Sequence, residues 1–373
     1  MSLEFAWSDE HTELRRTVRS FCAAESAEAE VRRVMETDSG FDKRVWGLLA
    51  ADLGLTGLAV PEEFGGAGYG PVELAVVFEE LGRALACLPY FATAGLAVPA
   101  LLASGDQTAQ KEYLPAIASG ELIATLAVPG ESGDWDPGEV TLAASRSGRD
   151  WVLTGTKSYV PDGAAAELIL TAARTPAGVS VFAVRAGAPG LDREQLPVMD
   201  LTRRQARLTF RGVPARLVGD EGAGAATVRR ALDEAAAALA AEQVGGAQQV
   251  LDSSVGYAKT RMQFGRPIGS FQAIKHRCAD MLASVESARS VAYHAAWAAA
   301  GDPAELPLAA ALAKSYCSDV FVSAAADCVQ IHGGIGFTWE HPAHLYFKRA
   351  VTDRALLGSP DTHRERLARL AGL

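Results

Sequence analysis

The spacing of apolar positions changes twice along the chain. From Ser8 to about residue 121 it is helical. SDEHTELRRTVRSFCAAE opens with Ser8 as an N-cap and repeats apolar residues at helical intervals. FDKRVWGLLAADLG predicts a second helix ending at Gly54, PEEFGGAGYG a glycine-rich loop, VELAVVFEELGRAL a further amphipathic helix, and Leu101 to Glu121 closes the region. From Leu122 to Val218 the runs shorten to IATLAV, EVTLAAS, WVLTGTKSYV, ELILTAAR, VSVFAV and ARLTFRGV, broken by Gly, Pro and Asp, which predicts an antiparallel β-domain. Beyond Gly224 helical spacing returns over Ala225–Arg261, Gln272–Gly301, Leu306–Ile331 and Pro342–Arg354, with lengths that suit a four-helix bundle. The pattern thus predicts an α+β multidomain chain: an N-terminal helical domain over 1–121, a β-domain over 122–218 and a C-terminal helical bundle over 219–373.

Composition narrows the function classes. With 373 residues, 49% of them hydrophobic, the chain has ample material for a core. A net charge of −10 with no Lys/Arg cluster argues against a nucleic-acid partner. Five cysteines without CxxC spacing read as reduced thiols of a cytoplasmic protein, and the N-terminus lacks a basic-then-apolar signal pattern. Ala84 to Gly105 carries no charge, but Pro89, Gly95 and Pro99 interrupt it. It reads as a buried, broken helical segment and not as a membrane span.

Candidate chemistry concentrates in two places. QIHGGIGFTWEHPAH, Gln330 to His344, holds three histidines, but Pro342 separates His341 from His344 and no HExxH or CxxC completes a metal set, so no metal site is expected. Nor is HGGIG a dinucleotide fingerprint, since no strand precedes it; its glycines do permit close backbone approach to a flat or charged ligand. In YAKTRMQFGRPIGSFQAIKHRCADM, Arg261 ends one helix, FGRPIG turns, Ser270 is a candidate cap and Gln272 opens the next helix. A cation beside free helix-terminal N–H groups makes a seat for a pyrophosphate, and the same residues also describe an ordinary helix–helix turn.

Along essentially its whole length the chain resembles an acyl-CoA dehydrogenase. PEEFGGAGYG, WVLTGTKSYVPDGAAAELILTAAR, the Tyr257–Met281 segment and QIHGGIGFTWEHPAHLYFKR match in order and spacing. The resemblance implies FAD at a subunit interface, with Arg261, Phe264, Gln272, Gln330, Gly333 and Gly334 reaching into a neighbouring subunit's cofactor, and the histidines as bystanders. It implies αβ-desaturation of an acyl-CoA thioester. A positioned carboxylate takes the α-proton and FAD accepts the β-hydride.

Against that family pattern the chain departs in an ordered way. Neither position that holds the base in family members carries a carboxylate: counting from Arg349 gives Gly358, and counting back from Tyr257 gives Ala235. Asp361, Glu234 and Glu242 lie off those positions and are weak candidates. The flavin-ring contacts change too. A motif like TEPGAGSD is here AVPGESGDWD, with Ala127 and Gly133 in place of the Thr and Ser and Ser132 as a partial substitute; a W-I-T motif is here Tyr159-Val160-Pro161. The residues serving the chain's own flavin are altered while those serving a neighbour's are kept.

The β-type subunits of bacterial steroid-degrading acyl-CoA dehydrogenases, which form α2β2 heterotetramers, are similar to this chain in LAAEQVGGAQ and QIHGGIGFTWEH. That likeness implies a subunit acting on a steroid-derived or otherwise bulky acyl-CoA, a partner subunit supplying the carboxylate, and an electron-transferring flavoprotein as acceptor. A self-sufficient homotetramer using Glu242, Glu234 or Asp361, and a non-catalytic scaffold, are the alternatives.

Overall fold

The computed structural model describes residues 7–148 and 150–373. Its contacts divide the chain into two compact units: one of residues 1–33, 71–86 and 236–373, the other of residues 34–70 and 87–235.

The first unit is helical. α1 (Asp9–Glu25) is capped as expected by Ser8, whose hydroxyl accepts from the His11 N–H while the His11 ring answers the Ser8 N–H. α2 (Glu28–Met35), not evident in the spacing, begins in this unit. α4 (Pro71–Arg83) packs against α1 and buries both Glu79 and Glu80. Those two carboxylates are held by Arg15, Arg19, Arg289 and the Tyr293 hydroxyl, so the buried charges are paired. From α7 (Gly224–Thr260) the unit takes the part beyond Ala235, and adds α8 (Gln272–Gly301), α9 (Leu306–His332), α10 (Ala343–Ala355) and α11 (Pro360–Leu370). Ser270, expected to cap α8, lies in the turn before it; Phe271 holds the cap position without a side-chain hydrogen bond.

The core of this bundle is built from alanine. Ala240, Ala247, Ala288, Ala292, Ala295, Ala309, Ala313 and Ala325 are among its buried residues, with Val285 and Phe321 filling the wider gaps. Small side chains let helices approach closely, and at two points only glycine fits. A Cβ on Gly245 would run into the Glu79 carbonyl oxygen of α4, and one on Gly246 into the Phe321 ring. α9 is the one helix among the described residues long and apolar enough to cross a membrane by length and composition; it packs against α8, α10 and α11.

The second unit carries the sheet. α3 (Lys43–Ala51) and α6 (Gln107–Ala118) are capped by Asp42 and Asp106. The uncharged segment flagged by its composition forms a π-helical stretch, Phe91–Ala97, running into α5 (Val98–Ala103), buried nearly throughout. The strands are β1 (Ala124–Ala127), β2 (Ala143–Ser147), β3 (Asp150–Pro161), β4 (Leu168–Thr175), β5 (Gly178–Arg185), β6 (Leu191–Gln195) and β7 (Gln205–Val218). Pairing runs β4–β2–β3–β7–β5 and back to β4, so the sheet closes on itself and its central strands have no free edge. Most pairs are antiparallel; β1 joins β4 in parallel, Ala124 opposite Leu168. The helical–β–helical order follows the hydrophobic pattern.

Candidate active site

The stretch after α7 is a tight hairpin. β8 (Met262–Gln263) pairs with β9 (Arg266–Pro267), and the tip residues Phe264 and Gly265 have φ of +51° and +74°. Two positive φ angles suit the twist of a two-residue hairpin, and glycine meets that need freely. Phenylalanine does not, and at 90% exposure it gains no burial in return. Such strain in an exposed aromatic is the mark of a residue shaped for an outside contact. Arg261, at the base of the hairpin, is exposed, as is Gln272 at the start of α8. Among the described residues no side chain is bonded to the Arg261 guanidinium.

The glycine-rich loop follows the end of α9. Gly333, at φ +63°, stops the helix, and neither it nor Gly334 has a heavy atom near the place a Cβ would occupy. Gln330, Gly333 and Gly334 are exposed, and Phe337 close by is 84% exposed. All six residues assigned to cofactor contacts therefore lie on the surface of this unit. The two segments are joined through rings: Tyr257, one turn before Arg261, stacks on His332, two residues after Gln330, with centroids 4.4 Å apart. The composition of the set suits FAD. It offers a free guanidinium for a pyrophosphate, an exposed ring, two amide side chains and an unobstructed glycine backbone. Among the described residues no group of three or more His, Cys, Asp or Glu is placed to hold a metal.

The places where a base would stand are different in kind. Gly358 has φ +99° and follows Leu357 at +61°; a Cβ at 358 would lie 3.4 Å from Nε2 of His363. The backbone there has a glycine conformation that a glutamate would strain to adopt. His363 itself is buried and donates from Nε2 to the Leu357 carbonyl at 2.9 Å, and burial holds its pKa down to about 4. Ala235, in the other unit, is fully buried.

The three carboxylates off those positions are each engaged. Glu242 accepts from Arg349 at 2.6 Å, with both side chains about 5% exposed. A carboxylate locked by a buried guanidinium is a structural charge, and its lone pairs are committed. Glu234 is paired with Arg230 at 2.6 Å; burial raises its pKa and the arginine opposes that. Asp361 sits exposed in the first turn of α11, paired with Arg364 at 2.7 Å.

In the second unit the segments matching the flavin-ring motifs are closed down. Ala127 is buried in β1, Pro161 ends β3, and the Pro161 carbonyl is taken by the Thr125 hydroxyl at 2.7 Å. Tyr159 has φ +56° and is partly exposed, and its ring lies within 3.4 Å of where a Cβ on Gly133 would be. Ser132 accepts from its neighbour, the Asp134 N–H, at 3.3 Å. Lys157 is wholly buried with its Nζ on the Val128 carbonyl, and burial brings its pKa down to about 7.

Three site features escaped sequence reasoning. The Glu242–Arg349 pair joins residues far apart in the chain and had no local signal. The Leu357–Gly358 conformation was not readable, although a glycine in place of a side chain hinted at it. The ring contacts of His332 and His341 were hidden because both looked like loop histidines.

The chain resembles known proteins over most of its length. Residues 8–121 match the acyl-CoA dehydrogenase N-terminal domain and residues 222–372 the acyl-CoA dehydrogenase C-terminal domain. Acyl-CoA dehydrogenase IpdE2 of Mycobacterium tuberculosis is 39% identical, over 97% of this chain and 96% of its own. The ChsE4–ChsE5 complex from Mycobacterium tuberculosis contains a chain that superposes with a TM-score of 0.91, at 31% identity over 99% of both chains. The Tcur3481–Tcur3483 steroid acyl-CoA dehydrogenase gives 0.89, at 33% identity over 98% of both. The chain belongs to the acyl-CoA dehydrogenase family of FAD-dependent oxidoreductases.

Proposed function

We propose that this chain is one subunit of a heteromeric acyl-CoA dehydrogenase that desaturates an acyl-CoA thioester, steroid-derived or similarly bulky, in the cytoplasm. It lends Arg261, Phe264, Gln272, Gln330, Gly333 and Gly334 to FAD held mainly by a partner subunit, and the partner supplies the catalytic carboxylate. One contrast carries this reading: the six outward residues are exposed and unencumbered, while position 358 is a left-handed glycine and Glu242 is locked to Arg349. FAD supplies the hydride acceptor. This chain's part is to neutralise pyrophosphate charge with Arg261, to cover the cofactor with Phe264, and to offer amide and backbone donors from Gln272, Gln330, Gly333 and Gly334. Two neighbours named as complexes or paired gene products, ChsE4–ChsE5 and Tcur3481–Tcur3483, support an unlike partner. A further neighbour, at 27% identity and described as an electron-transferring flavoprotein of Acidaminococcus fermentans, supports such a flavoprotein as electron acceptor.

The test is co-expression with the partner followed by Arg261→Ala. The complex should lose most of its flavin and its desaturation activity while keeping its assembly. Unchanged flavin content and activity would sink the proposal.

A further inference from the structure

Two histidines of the glycine loop have a place that the family pattern does not assign. His332 ends α9 with its ring buried on Tyr257. The chain then runs out through Gly333 and Gly334 and comes back, so that the His341 ring sits 4.2 Å from the His332 ring. Gly336 makes this return possible, since a Cβ there would be 2.9 Å from Cβ of His332. Tyr257 in turn accepts the Arg261 N–H on its carbonyl at 2.8 Å. Three rings thus pin both ends of the loop to the helix turn that delivers Arg261.

The hydrogen bonds make the His341 imidazole neutral, and the closeness of that ring favours a neutral His332 beside it. Nδ1 of His332 lies 2.8 Å from the Cys328 carbonyl and so carries the proton; its Nε2 is 3.5 Å from the Ser253 hydroxyl. Nδ1 of His341 accepts from the Ala343 N–H at 3.2 Å, at the first residue of α10, so its proton is on Nε2. A second proton on His341 would convert that acceptor into a donor facing a donor. A second proton on each ring would set two cations 4.2 Å apart. The charged and titratable groups around them are Glu28 and Arg32 of α2, Cys328 of α9, and His344 of α10. Burial lowers the pKa of His332, and burial followed by the nearness of His332 lowers that of His341.

We infer that Tyr257, His332 and His341 are positioning residues of the FAD half-site, holding the Gln330–Gly334 loop in register with Arg261 only while both imidazoles are neutral. This rests on the half-site reading above. It also predicts that acid loosens the loop before it unfolds the chain.

The test measures FAD affinity of the co-expressed complex by flavin fluorescence from about pH 8 to about pH 5, for wild type, His332→Phe, His341→Phe and Arg261→Ala. The phenylalanines keep a ring and remove the titration. Wild-type affinity should be flat at the alkaline end and fall about tenfold or more on acidification, and each phenylalanine variant should flatten that fall. Amide hydrogen exchange at Gly333–Phe337 in the chain without FAD should rise on acidification in wild type and less so in His341→Phe, a readout that survives if a complex fails to assemble. If Arg261→Ala weakens FAD but both phenylalanine variants keep the wild-type pH dependence, the ring cluster is overturned and the half-site stands. If Arg261→Ala leaves FAD affinity unchanged, the half-site reading itself fails and this inference with it.

Discussion

The surface formed by the 261–272 hairpin and the 330–334 loop and the stretch from Arg349 to His363 belong to one helical unit but are built on opposite terms. In the first, Arg261, Phe264, Gln272 and Gln330 are exposed, and Phe264 holds a strained φ of +51°. In the second, nearly every polar group has been turned to internal work. Arg349 holds Glu242, the His363 ring holds the Leu357 carbonyl, and Gly358 bends the chain between them. A surface that spends stability on exposed, strained residues is shaped for a partner. A stretch whose charged groups are engaged in structural pairs is poorly placed to serve as a base, which is what the proposed division of labour with a partner chain requires.

That comparison can be broken at several points. The largest effect should come from Arg349→Met. It removes the buried guanidinium that faces the Glu242 carboxylate, at a cost of about 3–5 kcal/mol, read as a lower unfolding midpoint. If Glu242 were the base, Glu242→Gln would abolish turnover in a chain of normal stability; here it should lower stability and leave activity per folded complex intact. Next, Gly245→Ala should cost about 1–3 kcal/mol because the added Cβ meets the Glu79 carbonyl and the α4–α7 crossing must open.

Of similar size, Gly358→Glu should restore no activity to the chain alone and destabilise by about 1–3 kcal/mol, because its φ disfavours any side chain. A gain of turnover would mean that only a carboxylate was missing. Acid should act through His363. Its folded pKa, about 4, lies below the unfolded value, so the neutral ring's contribution is full above about pH 6.5 and is lost as pH falls toward 4. Chemical denaturation of His363→Gln across that range should show a shallower decline than wild type. The smallest effect belongs to Asp361→Asn, an exposed partner of Arg364, which should change stability by less than about 0.5 kcal/mol and leave activity unaltered.

Much of this was legible in the sequence, for physical reasons. Helical period, the Ser8 cap and the β-rich runs marked the layers, because each element must bury one face. Arg261, Phe264, Gln272, Gln330, Gly333 and Gly334 could be singled out because they sit in local motifs of fixed spacing, and the structure adds that all six are exposed. α2 was too short and charged to stand out, and β1 pairing parallel to β4 depended on closure of the sheet. Ser270 looked like a cap by type, but it lies in the tight turn before α8 and Phe271 holds the cap position. The Glu242–Arg349 pair and the Tyr257–His332–His341 rings are contacts between separate segments, and no single window of sequence contains them.

The central claim is that this chain does not complete a flavin site by itself. The most direct test is the visible absorption spectrum of the purified chain with its native mass, measured alone and after co-expression with its partner. A colourless chain that turns yellow only in the mixed assembly is the predicted result. A yellow homotetramer carrying a full complement of FAD and desaturating acyl-CoA unaided would contradict it.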